Sequence, residues 1–569
     1  MPNAISEEPL EIEIAALEPG PPTAQSYPYP ELRASGETMR STFLAAVIEN
    51  DYLRAAFVPG LGGRLLELFD KRTKTELLSR DSLRSACGGR RGQVLIAGIE
   101  LHLDGDARLT SLGAVQHAAE EADEEGGGSL WLGEAVTGTG LSWHLRASMP
   151  EDRAELVLEA RIFNRSFKRL PYRAGLLMPE MPEWRASAGA FFASAGGQGI
   201  GLLVDRAFVA DRVEGMLRLA RFPEPRPIAP HQLDTWTVRI VPISGLRGVS
   251  AVTEAGALFV GGESIQIQAA APIRGKIVLM TRRGESLEAP TEIDPRRIAA
   301  IPLPEPVAGV AVMDEARNVV LRWEGDWAMA HETGQPRLPD RSALSQPATP
   351  YTDGELEQAT FDVGRRHVAH ALLGVRALAA GDFEAAEARF EQSLLNNGED
   401  HLAWWMKAMA ARLGSRTEGE SPELLNAHFL APLEPALRAE SFLAQPQTLE
   451  EGSSPLLKPL DDFPDAFLEV AALLFEAGLH HEAARWIDEA LRHADLPMLR
   501  YLLAYAHLKV TNLEFEAAEQ VKAASTRPIT PPFPWRGIEI EALRALSERF
   551  PDEPRIAQWL DLYASSQPK

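Results

Sequence analysis

Hydrophobic and polar positions change their rhythm once along this chain. From about Thr42 to Trp323, short β-branched runs alternate with Gly, Pro and Asp turns, as in "LAAVIEN", "LRAAFVPG", "AELVLEARIFN", "TWTVRIVPI", "SIQIQAA" and "NVVLRWEG". Runs of this kind predict strands, and so many of them predict a large antiparallel sandwich. After Gly245 the strands shorten, which marks off a second, smaller β-sandwich. A Pro- and Ser-rich stretch, Gly334 to Glu355, reads as a linker. Beyond it the apolar positions take a helical period. The expected domains are therefore an N-terminal arm (1–26), a β-supersandwich (27–247), a small β-sandwich (248–326), a linker (327–354) and helical repeats (355–569).

The helical stretch "HALLGVRALAAGDFEAAEARFEQSLLNN" carries the most specific pattern in the chain. Small residues at Gly374 and Ala386 let two antiparallel helices approach, Phe383 and Phe390 fill the space between pairs, and Gly381-Asp382 makes the turn. The pattern resembles a tetratricopeptide repeat, with Trp404 and Ala408 one period of 34 residues beyond His370 and Gly374. A second copy places Gly478, Ala483, Ile487, Ala490 and Leu491 at the same spacing, and proline-rich sequence from Pro432 to Pro464 interrupts the array. A short array stacks poorly alone, so it is expected to pack back against the sandwich, with Trp404, Trp405 and Trp486 inside the helices and Trp535 anchoring the last ones. The other reading is an array on a flexible tether that only recruits partners.

Composition narrows the function classes. The formal net charge of the 569 residues is -24, which disfavours nucleic acid and anionic membranes as partners. Cys87 is the single cysteine, so a disulfide framework or a multi-cysteine metal site is excluded. "LDGDA" (Asp104, Asp106), "GGQGIG" (Gly196 to Gly201) and His480-His481 read as a turn, a loop leading into a strand, and a repeat turn. No cofactor or metal is expected. The acidic N-terminus lacks the pattern of a secretory signal, and no apolar run is long enough to span a bilayer, so a cytoplasmic location is expected.

Two strands place polar groups at period two. In "GIELHLDGD", Glu100, His102 and Asp104 alternate with Ile99, Leu101 and Leu103; in "LSWHLRA", Ser142, His144 and Arg146 alternate with Leu141, Trp143 and Leu145. If both faces line one concave sheet, carboxylate, imidazole and guanidinium meet in one cleft, the mixture that epimerising or hydrolysing a sugar requires. The competing reading is that these are ordinary solvent faces.

"YPYP" at Tyr27, "AAVIENDYLRAAFVPGLGGRLLELFDKRTKTELLSR", "AGIELHL", "LSWHLRASM", "ARIFNRSFKRLPY" and "TPPFPWRGIEIEAL" follow one another in an order that resembles a bacterial family: a mutarotase-like β-sandwich of unassigned function followed by tetratricopeptide repeats. The resemblance implies carbohydrate as the ligand class, Glu100 as general acid or base, and Arg64 at the rim of the concave sheet as a donor to sugar hydroxyls. The two alternating faces add His102 or His144 as proton partner, and Arg146 and Asp104 as groups that position hydroxyls. The alternative for Arg64 is a pairing with a neighbouring acid after a Gly62-Gly63 turn. The chain departs from the family at Leu101 to Asp104, Arg173 and Gly175, which keeps a second function open: a non-catalytic glycan-binding or scaffolding protein whose repeats recruit a protein partner.

Overall fold

The strand-rich part of the chain folds as two facing β-layers. The computed structural model describes the chain except residues 1–3, 25, 79–83, 88–90, 105–111, 121–127, 135–139, 181–182, 188–189, 196–197, 206–207, 214–215, 282–284, 304–306, 325–350, 415–420, 446–453, 511–512 and 567–569. The expected linker and the Asp106 position thus lie almost wholly outside the described residues. One layer is an eight-stranded antiparallel sheet that includes Leu233–Ile243, Leu156–Asn164, Leu141–Ser148 and Ser129–Glu134 in that order. The other joins two sheets through a bridge between Leu65 and Ile99. One of these sheets holds Ala4–Pro19, Leu32–Glu49, Leu53–Val58 and Arg64–Asp70, and the other holds Glu100–Asp104, Leu170–Pro179, Met216–Ala220 and Val209–Val213.

Strand structure begins earlier than the expected boundary. Ala4–Pro19, read from sequence as an arm, pairs with Leu32–Glu49 along its length. The reason is a period-two run: Ile12 and Ile14 are buried against Leu66, Leu95 and Ala97, while Glu11 and Glu13 point away.

The alternation seen in sequence fixes which residues meet inside. Leu101, Leu103 and Leu176 of one layer share a core with Leu130, Trp143, Leu145 and Leu158 of the other. The small sandwich follows, two four-stranded sheets around Leu258, Ile265, Ile277, Val310 and Leu321. It is sealed to the large one by Phe192, Val241, Ile243, Leu246 and Val252. Asp70 and Arg72 of the "FDKRT" segment belong to this seam. Ser244 Oγ donates to Asp70 at 2.6 Å, and Arg72 donates to the Ala269 carbonyl at 2.8 Å.

Among the described residues, twelve α-helices run from Asp353 to Ser566. The repeat reading holds at atomic detail. A Cβ on Gly374 would lie 2.7 Å from the Phe390 ring of the next helix, and Gly381 makes its turn at φ +75. Trp405 and Trp486 are buried among the helices. The proline-rich stretch is not wholly irregular: Pro435–Leu443 is a helix, with Pro in its first turn where no intrahelical N–H is lost.

The helices pack onto the sandwich. Phe163, at the end of a sandwich strand, belongs to the helical core together with Tyr27. Tyr27 stacks on Phe533 with ring centroids 6.1 Å apart, and its hydroxyl donates to the Pro534 carbonyl. Phe533 N–H donates to Pro28 at 3.0 Å. The "YPYP" and "PFPWRG" stretches, more than five hundred residues apart, are therefore one contact. No helix among the described residues is long and apolar enough to cross a membrane.

Candidate functional site

Gly62 and Gly63 both take left-handed backbone, φ +72 and +74, and turn the chain into the strand that Arg64 begins. Arg64 is 1% exposed and Glu100 6%. The Arg64 guanidinium lies 2.6 Å from the Glu100 carboxylate and donates to the Leu95 and Ala97 carbonyls at 3.1 and 3.2 Å. Of the two readings of Arg64, pairing with a nearby acid is the one the structure contains, and that acid is Glu100. Three anchors fix the guanidinium, so Glu100 is held in one position.

Since Ile99 and Leu101 face the core, Glu100 and His102 face outward from their layer, as does Arg64 beside the core-facing Leu65. The ladder sets Leu177 opposite Glu100, Gly175 opposite His102 and Arg173 opposite Asp104. Next to this face lies a buried ion cluster that the sequence reading missed. Asp211 accepts from Arg218 Nε at 2.8 Å and from Arg173 at 3.0 Å, and all three are at most 2% exposed. Arg173 Nε also donates to the Phe222 carbonyl at 2.6 Å. The departures at Arg173 and Gly175 thus have a structural reason. Arg173 supplies half of the cluster's positive charge, and a Cβ at Gly175 would sit 2.1 Å from the Leu219 carbonyl. The available signal was the hairpin "VADRVEGMLRLA", which sets Asp211 opposite Arg218.

His144 and Arg146 do not join Glu100. Their strand belongs to the other layer, and because Trp143 and Leu145 fill the shared core, His144 and Arg146 point out of the opposite side of the sandwich. Period two gives the parity of a face but not the sheet that carries it. Arg146 donates to Ser129 Oγ at 3.1 Å, beside Trp131 and Glu120. His144 lies under the helices. A Cβ added at neighbouring Gly133 would meet both its ring and Leu433. Burial, then the nearby His401, pushes the His144 imidazole down to about 3.

Around His144 the two regions exchange charges. Arg165, from the "NRSFKR" turn, pairs with Glu434 and, at 3.3 Å, with Glu469. Arg536 binds Glu469 at 2.9 Å, Asp465 at 2.8 Å and Glu539 at 2.8 Å. Tyr29 donates to Asp465 at 3.0 Å, and His231 pairs with Asp400 at 2.6 Å. Burial raises the Glu434 carboxyl, but Arg165 and His401 outweigh it and bring it down to about 2.

The pH dependence follows. In the unfolded chain His144 takes a proton as pH falls through 6.5, whereas in the folded chain it stays neutral to about 3. The stability of the wild type relative to His144→Gln is therefore expected to fall as pH drops from about 6.5 towards about 3. Paired chemical unfolding curves at pH 7, 5.5 and 4.5 measure it, and a difference that does not vary with pH contradicts the burial of a neutral imidazole.

No protein-family model matches the chain. Among solved structures, a TPR-domain containing protein from Parabacteroides distasonis is similar over 93% of this chain and 96% of its own, at 13% identity and a TM-score of 0.38. A putative aldose 1-epimerase from Escherichia coli is similar over 36% of this chain and 99% of its own, at 12% identity and a TM-score of 0.24. A galactose mutarotase-like protein from Lactobacillus casei is similar over 34% of this chain and 99% of its own, at 7% identity and a TM-score of 0.25.

Proposed function

We propose that the protein binds carbohydrate on the outer face that carries Glu100, and that it does so without transforming its ligand. The observation that carries this reading is the Arg64–Glu100 contact at 2.6 Å, with Arg64 anchored on two carbonyls besides. A carboxylate fixed in this way accepts hydrogen bonds from sugar hydroxyls with little ordering cost. His102, two positions along the same strand face, adds an imidazole, whereas the Asp104 side chain lies outside the described residues. A general acid or base has to reach the reacting atom, and the Glu100 carboxylate is already engaged by Arg64. His144 and Arg146, on the far side of the sandwich, take no part in this reading.

Isothermal titration of the full chain with soluble oligosaccharides, alongside an aryl-glycoside panel, tests it. We expect binding that Glu100→Gln weakens about tenfold or more, and no turnover. Turnover that Glu100→Gln abolishes would make the protein a glycoside hydrolase or epimerase instead, and the absence of any binding would end the carbohydrate reading.

A further inference from the structure

On the small sandwich, one sheet departs from the rule that positions facing away from the core are polar. The sheet consists of Ser286–Ile293, Ile273–Thr281, Val307–Asp314 and Val319–Trp323, side by side in that order. Ile277, Leu279, Val310, Val312 and Leu321 fill the core. The alternate positions therefore face outward, and they hold Val278 and Met280 on one central strand and Ala311 and Met313 on the other. Met280 is 50% exposed, and Val319, paired with Met313, is 47% exposed. Charges border this apolar face. Glu288 and Glu292 project from the outer strand on one side, next to Lys276 at 2.8 Å and Arg274 at 3.1 Å. Arg322 projects from the outer strand on the other side, next to Glu324.

We propose that two copies of the chain meet on this face, sheet against sheet, about a two-fold axis parallel to the strands. The register selects both the partner and the axis. One cross-strand row has Glu288 at one end, Val278 and Ala311 in the middle and Arg322 at the other end. Turning a second copy over about the strand direction reverses this row and keeps its level. Glu288 of each copy then meets Arg322 of the other, and Val278 meets Ala311. In the row to one side, Pro290 comes over Val319 and the aliphatic stem of Lys276 over Met313. In the row to the other side, Met280 comes over Gly309, which has no side chain to oppose it. An axis across the strands instead sets Glu288 against Glu288 and Arg322 against Arg322, and like charges oppose that pairing. Four strands about 4.8 Å apart and about seven residues long make a face of about 450 Å², which puts the pair at the low end of specific interfaces. The net charge of -24 on each copy opposes association further, so the dimer is weak and reversible.

Sedimentation velocity of the full chain over a range of about 1 to 100 µM tests this, with a reversible shift from monomer to dimer and a Kd of about 10 µM expected. Met280→Glu should raise Kd about tenfold or more, because it presses a charge against the partner's backbone. Glu288→Arg and Arg322→Glu should each raise it about threefold to tenfold. Combining the two should bring Kd back to within about twofold of the wild type, because each reversed charge again meets its opposite across the axis. These side chains lie on the outer face, so circular dichroism and thermal melts should match the wild type in every variant. A chain that stays monomeric over the whole range overturns the proposal. So does a dimer indifferent to Met280→Glu, and so do charge reversals that fail to restore one another.

Discussion

Replacing Arg165 with Met is expected to lower the unfolding free energy by about 3–5 kcal/mol, the cost of removing one partner from a buried ion pair. The Arg165 side chain is 6% exposed and pairs with Glu434, which is fully buried, and with Glu469. Without the guanidinium, Glu434 keeps the His401 imidazole, at 3.4 Å, as its remaining side-chain partner among the described residues. The effect should appear at the junction of the two regions. Near-ultraviolet circular dichroism of Tyr27 and limited proteolysis at the helical side should both report loosening before the β-regions unfold. A variant as stable as the wild type contradicts the docked arrangement.

Asp211→Asn is expected to have an effect of the same size, about 3–5 kcal/mol, but in the sandwich. Arg173 and Arg218 are each 1% exposed and both pair with the carboxylate of Asp211. Asparagine keeps the shape and can still accept a hydrogen bond, yet it leaves two buried guanidiniums without that counter-charge. The helical region should melt as before, so differential scanning calorimetry with a helix-specific and a sheet-specific optical probe separates the two substitutions. Loss confined to the helices would show that the cluster does not hold the sheet.

Much of this architecture was legible because it rests on local rules. The glycine and alanine spacing of the repeats reports direct steric contacts, as at Gly374 against Phe390, and alternation in "GIELHL" and "LSWHL" correctly separates core-facing from outward residues. What alternation cannot carry is the pairing of layers. Glu100 and His144 have the same parity on their strands and leave opposite sides of the sandwich, because which sheet each strand joins depends on partners far away in sequence. Ala4–Pro19 was legible in principle from Leu10, Ile12 and Ile14, but its glutamates mask the pattern in a compositional reading. The charge chain at the junction was hidden differently. Tyr29, Arg165, Glu434, Asp465, Glu469 and Arg536 come from five separate segments, and only the fold brings them together. Three of those segments, "YPYP", "NRSFKR" and "PFPWRG", lie in stretches that carry the sequence resemblance. Their place at the junction ties the resemblance to the docking of the two regions.

That docking is the claim on which the rest depends, and a double-mutant cycle between Arg165 and Glu434 tests it most directly. Arg165→Met, Glu434→Gln and the double variant are unfolded in urea beside the wild type. The structure predicts a coupling energy of about 1–3 kcal/mol, as for residues sharing one buried ion pair, whereas effects that add to within about 0.5 kcal/mol would show that the helices do not sit on the sandwich.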